Sequence, residues 1–216
     1  MSFEPRLRQT LRVPEALWRN LIFAWPTDPG SQNVRAFLGQ GALTFDGLPS
    51  RWTVPGSGYI PTVQQAMTVA AVMVFSAHPP SSVSYAFGTT GTNQGNGFRL
   101  ATSSGVAHYE EVASNAIAQV SVTATMSTIA TTHRVIATRN SPITAGLLIG
   151  LWIDGTPVGS TTGVGSWATP DLCTIGWAGL VNGVATGVFS GVIRDVYVFN
   201  RDLTAAEVVQ LDAAIR

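Results

Sequence analysis

The chain has 216 residues, no formal net charge and a hydrophobic fraction of 45%, which excludes a disordered tail and fits one large globular unit. Only 11% of the residues are charged, against about 25% in ordinary soluble domains, so Ser, Thr, Gly, Asn and Gln must cover much of the surface. The twelve basic residues, all arginine, are spread along the chain and balanced by twelve acids, which argues against nucleic acid as a partner. No apolar stretch approaches the length of a membrane-spanning helix.

Residues 1–20 read as an N-terminal arm. Met1 to Arg8 lacks the apolar core of a signal peptide, so synthesis and folding in a cytoplasm are expected. Arg6, Arg8, Arg12 and Arg19 lie in this stretch, and Pro5 and Pro14 break any long helix. Pro14-Glu15-Ala16-Leu17-Trp18 can open a short helix, with Pro at its first position and an acid in its first turn. The bland account of the arm is a frayed end, and that of the all-arginine usage is a coding bias. The functional account uses the planar guanidinium fork, which makes durable interface contacts. On that account Arg6, Arg8, Arg12 and Trp18 are the candidate partner-binding residues.

From Leu21 onward strand signals dominate. Leu21–Trp25 is a short apolar run stopped by Pro26 and the turn cluster Asp28-Pro29-Gly30. Ala42-Leu43-Thr44-Phe45 ends at Asp46-Gly47, and the run from Met67 to Phe75 is rich in Val, Ala and Met. Strands are expected over Ser84–Phe87, Gly97–Ala101 and Val106–Tyr109, with Asn96-Gly97 marking a tight turn. Gly88–Gly97 is Gly- and Asn-rich without the Lys-Ser/Thr ending of a phosphate loop, so it reads as a surface loop. Residues 117–131 alternate apolar with small polar side chains, the period of a half-buried strand, and Arg134–Thr138 is another strand.

The strongest hairpin signal is Leu147–Val158, two apolar runs flanking Asp154-Gly155, a pair that favours the primed turn matching strand twist. Strands follow at Leu172–Trp177 and Gly187–Phe199. Cys173 is the only cysteine, which rules out an intrachain disulfide, and between Leu172 and Ile175 it reads as an inert buried thiol. A helix over Ala205–Ala214 closes the chain. Thr204-Ala205-Ala206-Glu207 is a capping box, Leu203 and Val208 stand where a hydrophobic staple sits, and Val208 and Leu211 should pack onto the sheet. The fold expected is all-β, a two-sheet antiparallel jelly-roll sandwich over residues 21–216 with an N-terminal arm and a short C-terminal helix.

The order of these landmarks resembles the concanavalin A-like, laminin-G-like jelly-roll superfamily over about residues 20–212. An "ALxFDG" segment is matched by Ala42–Gly47, a "WHHVAxTR" strand by Thr132–Arg139, and an "LYVDGxxV" hairpin by Leu151–Val158. The ending "FxGxIDEVRIYNRALSxxE" is matched by Phe189–Glu207, with Arg194 standing where the family commonly has Asp. The resemblance implies a fold shared by glycan-binding modules, adhesion domains, glycoside hydrolases and virion proteins.

Hydrolysis on this fold needs two carboxylates across a cleft, and the alternating E-x-D-x-x-E strand that the resemblance would imply is missing. Glu110 and Glu111 are adjacent, so on a strand they point to opposite faces. Asp46, Asp154, Asp195 and Asp202 are calcium-ligand candidates, yet Asp46 and Asp154 already have a role in Asp-Gly turns. His78, His108 and His133 lack metal-site spacing, and no metal or cofactor is expected. Trp52, Trp152 and Trp177 are assigned to strands serving the core, while Trp167, beside Gly165-Ser166, is the candidate glycan contact. The expectation is a non-enzymatic structural protein of a bacteriophage or phage-like virion, a capsid decoration or head/tail appendage. Its partners would be capsid or tail subunits, or further copies of itself in a homo-oligomer. A carbohydrate-binding or adhesion module is the alternative, and a glycoside hydrolase stands third.

Overall fold

The computed structural model describes residues 16–17, 21–25, 43–46, 52–55, 66–75, 84–90, 97–103, 106–112, 118–125, 131–140, 147–163, 172–175, 179–181, 184–186 and 190–215. Side chains are described for 16–17, 66–74, 131–140, 148–160 and 192–215.

One sheet runs β1 (Leu21–Trp25), β15 (Ser190–Phe199), β4 (Met67–Phe75), β9 (Thr132–Arg139), β10 (Leu147–Ile153), β11 (Thr156–Gly163), and β2 (Leu43–Asp46) also pairs with β15. The second runs β3 (Trp52–Pro55), β12 (Leu172–Ile175), β5 (Ser84–Thr90), β6 (Gly97–Ser103), β7 (Val106–Val112), β8 (Ala118–Thr125). A small hairpin joins β13 (Gly179–Val181) to β14 (Val184–Thr186). Every one of these pairings is antiparallel. β4 and β15 meet β5, and β11 runs close to β8, so the sheets form the two layers of a sandwich. The fold expected from the sequence is the fold found.

The middle of the first sheet is buried on both faces, which explains why Met67–Phe75 is apolar but for Thr68 instead of alternating. Met67, Val69, Ala71 and Met73 lie on one face with Val135, Ala137, Ile149 and Leu151, all essentially inaccessible. The opposite face carries Ala70, Val72, Ile136, Tyr197 and Phe199. Helix α1 (Ala205–Ala214) covers it with Val208 and Leu211, joined by Leu203 and Ile215. Each of these large apolar side chains contributes about 1.5–3 kcal/mol by leaving water. Leu17, within the stretch read as an arm, is fully buried in the same cluster, so the core reaches back at least to that residue. The rest of residues 1–20, including Arg6, Arg8, Arg12 and Trp18, lies outside the described residues.

The helix begins and ends where the sequence places it. Glu207 N–H donates to Thr204 Oγ1 at 3.4 Å and Thr204 N–H donates to Glu207 Oε2 at 2.9 Å, the reciprocal bonds of a capping box. Arg201 grips the same carboxylate with two guanidinium nitrogens, at 2.8 and 2.5 Å. Thr68, fully buried on β4, holds the connector before the helix. Its hydroxyl donates to Arg201 C=O and accepts from Leu203 N–H, each at 3.0 Å.

One expectation changes. Gly88–Thr90 belongs to β5 and Gly97 opens β6, so the segment read as a loop is partly strand. Gly88, Thr89 and Thr90 pair with Thr174, Cys173 and Leu172 of β12. Ladder hydrogen bonds from a neighbouring strand outweigh the low strand preference of glycine.

Candidate functional site

Two polar assemblies flank the β9–β10 pair, one at each end. The first is the tip of the β10–β11 hairpin. Asp154 and Gly155 have φ of 50° and 76°, the two positive values that a type I′ turn demands. Asp154 also binds outward: His133 Nδ1 donates to its Oδ2 at 2.8 Å, and Arg134 N–H donates to its Oδ1 at 3.0 Å. The Thr131 hydroxyl lies 3.3 Å from His133 Nε2, on the far side of the ring. Arg134 then links the tip to the helix, with Nε 3.0 Å from Asp212 Oδ1. Its N–H is not aligned for a hydrogen bond there, so this contact is Coulombic. Asp212 sits in the last turn of α1, where the helix dipole disfavours an acid, and Arg134 offsets that cost. Gly155 is required twice, for its positive φ and because a Cβ there would lie 3.1 Å from Asp212 Oδ2. This end is a latch whose charges are engaged within the protein.

The second assembly is a cleft of about 550 Å³ between the β10–β11 hairpin and the entrance of α1, on the helix-bearing face of the sheet. Register builds its floor: Thr138 of β9, Gly150 of β10 and Ser160 of β11 stand side by side across three strands. Gly150 is the residue that lets Thr138 and Trp152 close over the middle strand, since a Cβ on it would lie 2.9 Å from Thr138 Oγ1 and 3.6 Å from Trp152 Nε1. One wall is Trp152, half-buried, packed against the core cluster and opposite Pro157. β11 has an extra residue at this point, because Leu151 pairs with Gly159 and Trp152 with Pro157. The extra residue, Val158, is exposed and joins the exposed Leu148 on the rim. A bulge commonly re-aims a side chain in this way.

The other wall is Asp202 to Ala205. Burial pushes the Asp202 carboxyl above its ordinary value, and the hydrogen bond donated by the Thr138 hydroxyl pulls the other way. Asp202 is the one charged group among the described residues lining the cleft. The Glu207 carboxylate, one turn into the helix, is held down to about 2, chiefly by Arg201. The cleft therefore offers an apolar indole wall, a carboxylate with acceptor capacity and three hydroxyls from Thr138, Ser160 and Thr204. That mixture suits a small polar ligand with one apolar face.

Of the residues singled out from the sequence, Trp167 and Trp177 lie outside the described residues. Trp152, assigned to the core, serves the core and the cleft together. Asp154 is part of the latch, Asp195 is buried, and Asp202 lines the cleft. The Asp46 side chain, His78 and His108 lie outside the side chains described, and His133 binds Asp154. Among the described residues no three His, Cys, Asp or Glu gather as metal ligands would. The overlooked residue is Gly150, whose signal was a glycine inside a strand pattern.

No curated protein matches the sequence. Solved structures share the fold at low identity. The receptor binding domain of botulinum neurotoxin type G aligns with a TM-score of 0.59 at 13% identity, covering 80% of this chain and 41% of that one. The chain thus spans about two fifths of that toxin domain. The Ruminococcus gnavus IT-sialidase CBM40 bound to alpha2,3 sialyllactose aligns at 0.56 and 14% identity, covering 68% and 82%. The native heptameric SAP-like pentraxin from Limulus polyphemus aligns at 0.57 and 18% identity, covering 78% and 79%. A laminin G family model, described as the concanavalin A-like lectin/glucanases superfamily, matches residues 51–209, a span containing every cleft residue named above. The chain belongs to the concanavalin A-like lectin/glucanases superfamily.

Proposed function

We propose that this chain is a carbohydrate-binding module that holds its ligand without turning it over. The observation carrying this reading is a cleft lined by Trp152, Asp202 and the Thr138–Gly150–Ser160 row together, in a member of a lectin and glucanase superfamily. An indole gives a sugar ring an apolar surface, while a carboxylate and hydroxyls meet its hydroxyl groups. What supports binding over hydrolysis is the single carboxylate among the described lining residues, where hydrolysis uses two. A glycan array probed with the full chain tests the reading, with bound glycans recovered intact. An array without hits, or release of shortened sugars, would overturn it.

A virion role is the second reading, favoured by the 11% charged fraction and the hydroxyl-rich surface this implies. None of the solved structures named above is described as a virion component. The two readings are compatible in an appendage that adheres to surface sugars. Adding purified protein to particles that lack it should restore it to their surface in electron micrographs. Protein that stays monomeric in light scattering and attaches to no such particle removes this reading.

A further inference from the structure

We propose that the cleft between the β10–β11 hairpin and the entrance of α1 selects uncharged saccharides and rejects acidic ones. The inference rests on the carbohydrate reading above and adds the site and the class of sugar.

Three observations carry it. First, the charge facing the ligand is negative, since Asp202 is the one charged group among the described lining residues. A carboxylate accepts hydrogen bonds from vicinal hydroxyls, but it repels a sugar carboxylate across a few ångströms of partly desolvated space. Second, the cation that acts on Asp202 among the described residues is already committed. Arg201 adjoins Asp202 in the chain, yet its fork is closed on Glu207 through two nitrogens. An acidic sugar would have to break that bidentate pair to find a guanidinium, and Glu207 is also the side chain that caps the helix. Third, the floor is neutral: Thr138, Gly150 and Ser160 pair across β9, β10 and β11 and bring two hydroxyls and no charge to the cleft.

The charges around Asp202 agree with this assignment. Arg201 favours its ionised form and Glu207 disfavours it, while burial acts most strongly of all by raising the carboxyl. A half-buried carboxylate at a cleft gains from a ligand that donates hydroxyls to it.

The test is titration of the full chain with paired glycans, each neutral oligosaccharide beside its sialylated or uronic-acid counterpart. The wild type should bind neutral members at least about tenfold more tightly than acidic ones. Asp202→Asn should weaken neutral-glycan binding by about tenfold and shrink the neutral-to-acidic gap, with an unchanged circular dichroism spectrum. Ser160→Leu, at an exposed lining position on edge strand β11, should obstruct the cleft and abolish binding even if Asp202→Asn folds poorly. Glycan binding that both variants leave intact would overturn the cleft assignment while the carbohydrate reading stands. Acidic glycans bound as tightly as neutral ones would overturn the selectivity. If no glycan of either kind binds, the carbohydrate reading fails and takes this inference with it.

Discussion

Asp154 and Asp202 stand at opposite ends of the same pair of strands, and the chain treats them in opposite ways. Asp154 accepts from a buried histidine and a backbone N–H, with the Arg134 guanidinium 3.4 Å away. Asp202 has a Thr138 hydroxyl and a burial cost that raises its carboxyl. A carboxylate surrounded by protein donors fixes structure, whereas one kept partly desolvated beside a cleft is the better candidate to meet something that arrives from outside. The same fold thus carries a latch and the proposed ligand site a few residues apart on β9, at His133–Arg134 and at Thr138.

The latch should show the largest effect. Asp154→Ala removes charge-assisted hydrogen bonds to His133 and Arg134 and forces alanine into a positive φ. Together these should cost about 3 kcal/mol in urea unfolding. Asp154→Asn tolerates the positive φ and keeps an acceptor, so it should lose about half as much. A loss below about 0.5 kcal/mol for the alanine variant would reduce the latch to an ordinary surface ion pair.

Glu207 lies between the two extremes and its effect should be intermediate. Its carboxyl is held down to about 2, first by the Arg201 hydrogen bonds and then by Thr204 against an opposing burial cost. A depressed carboxyl stabilises the fold at pH values above the ordinary glutamate range, and that stabilisation is lost as pH falls toward about 2. Because the pair remains partly solvent-accessible, screening should leave about 1 kcal/mol of it at neutral pH. Urea midpoints for the wild type and Glu207→Gln should therefore converge between about pH 4.5 and 2. Midpoints that stay parallel through that window would assign the cap to the Thr204 bonds alone.

What the sequence discloses follows from how local each feature is. The helix is legible because Thr204, Glu207, Leu203 and Val208 carry its start within six residues of chain. The hairpin is legible because Asp-Gly is one of few pairs that accept two positive φ values. The cleft is hidden because register assembles it: Thr138, Gly150 and Ser160 become neighbours only when β9, β10 and β11 pair. Period-two reasoning puts Leu148, Gly150 and Trp152 on one face, but it cannot say that the helix covers this face and stops short of Gly150. Trp152 reads as core for the same reason, since a strand position does not disclose which part of a face stays open. Arg134 and Asp212 likewise meet only when the helix folds back over β9.

The smallest expected effect is the most telling, because its sign is reversed. Burial raises the Asp202 carboxyl, so above that raised value the folded protein carries an ionised group that the unfolded chain solvates better. The destabilisation is full at neutral pH and disappears as pH falls below the ordinary aspartate range. Asp202→Asn removes the charge and keeps an acceptor for Thr138, so at pH 7 it should raise stability by a few tenths of a kcal/mol (about 0.3). At pH 3 the variant and wild type should unfold at the same urea concentration. A stabilising substitution that also costs ligand affinity is the behaviour of a residue held in place for binding. If Asp202→Asn instead destabilises at pH 7 as Asp154→Ala does, Asp202 serves the fold, and the contrast between the two ends of β9 disappears.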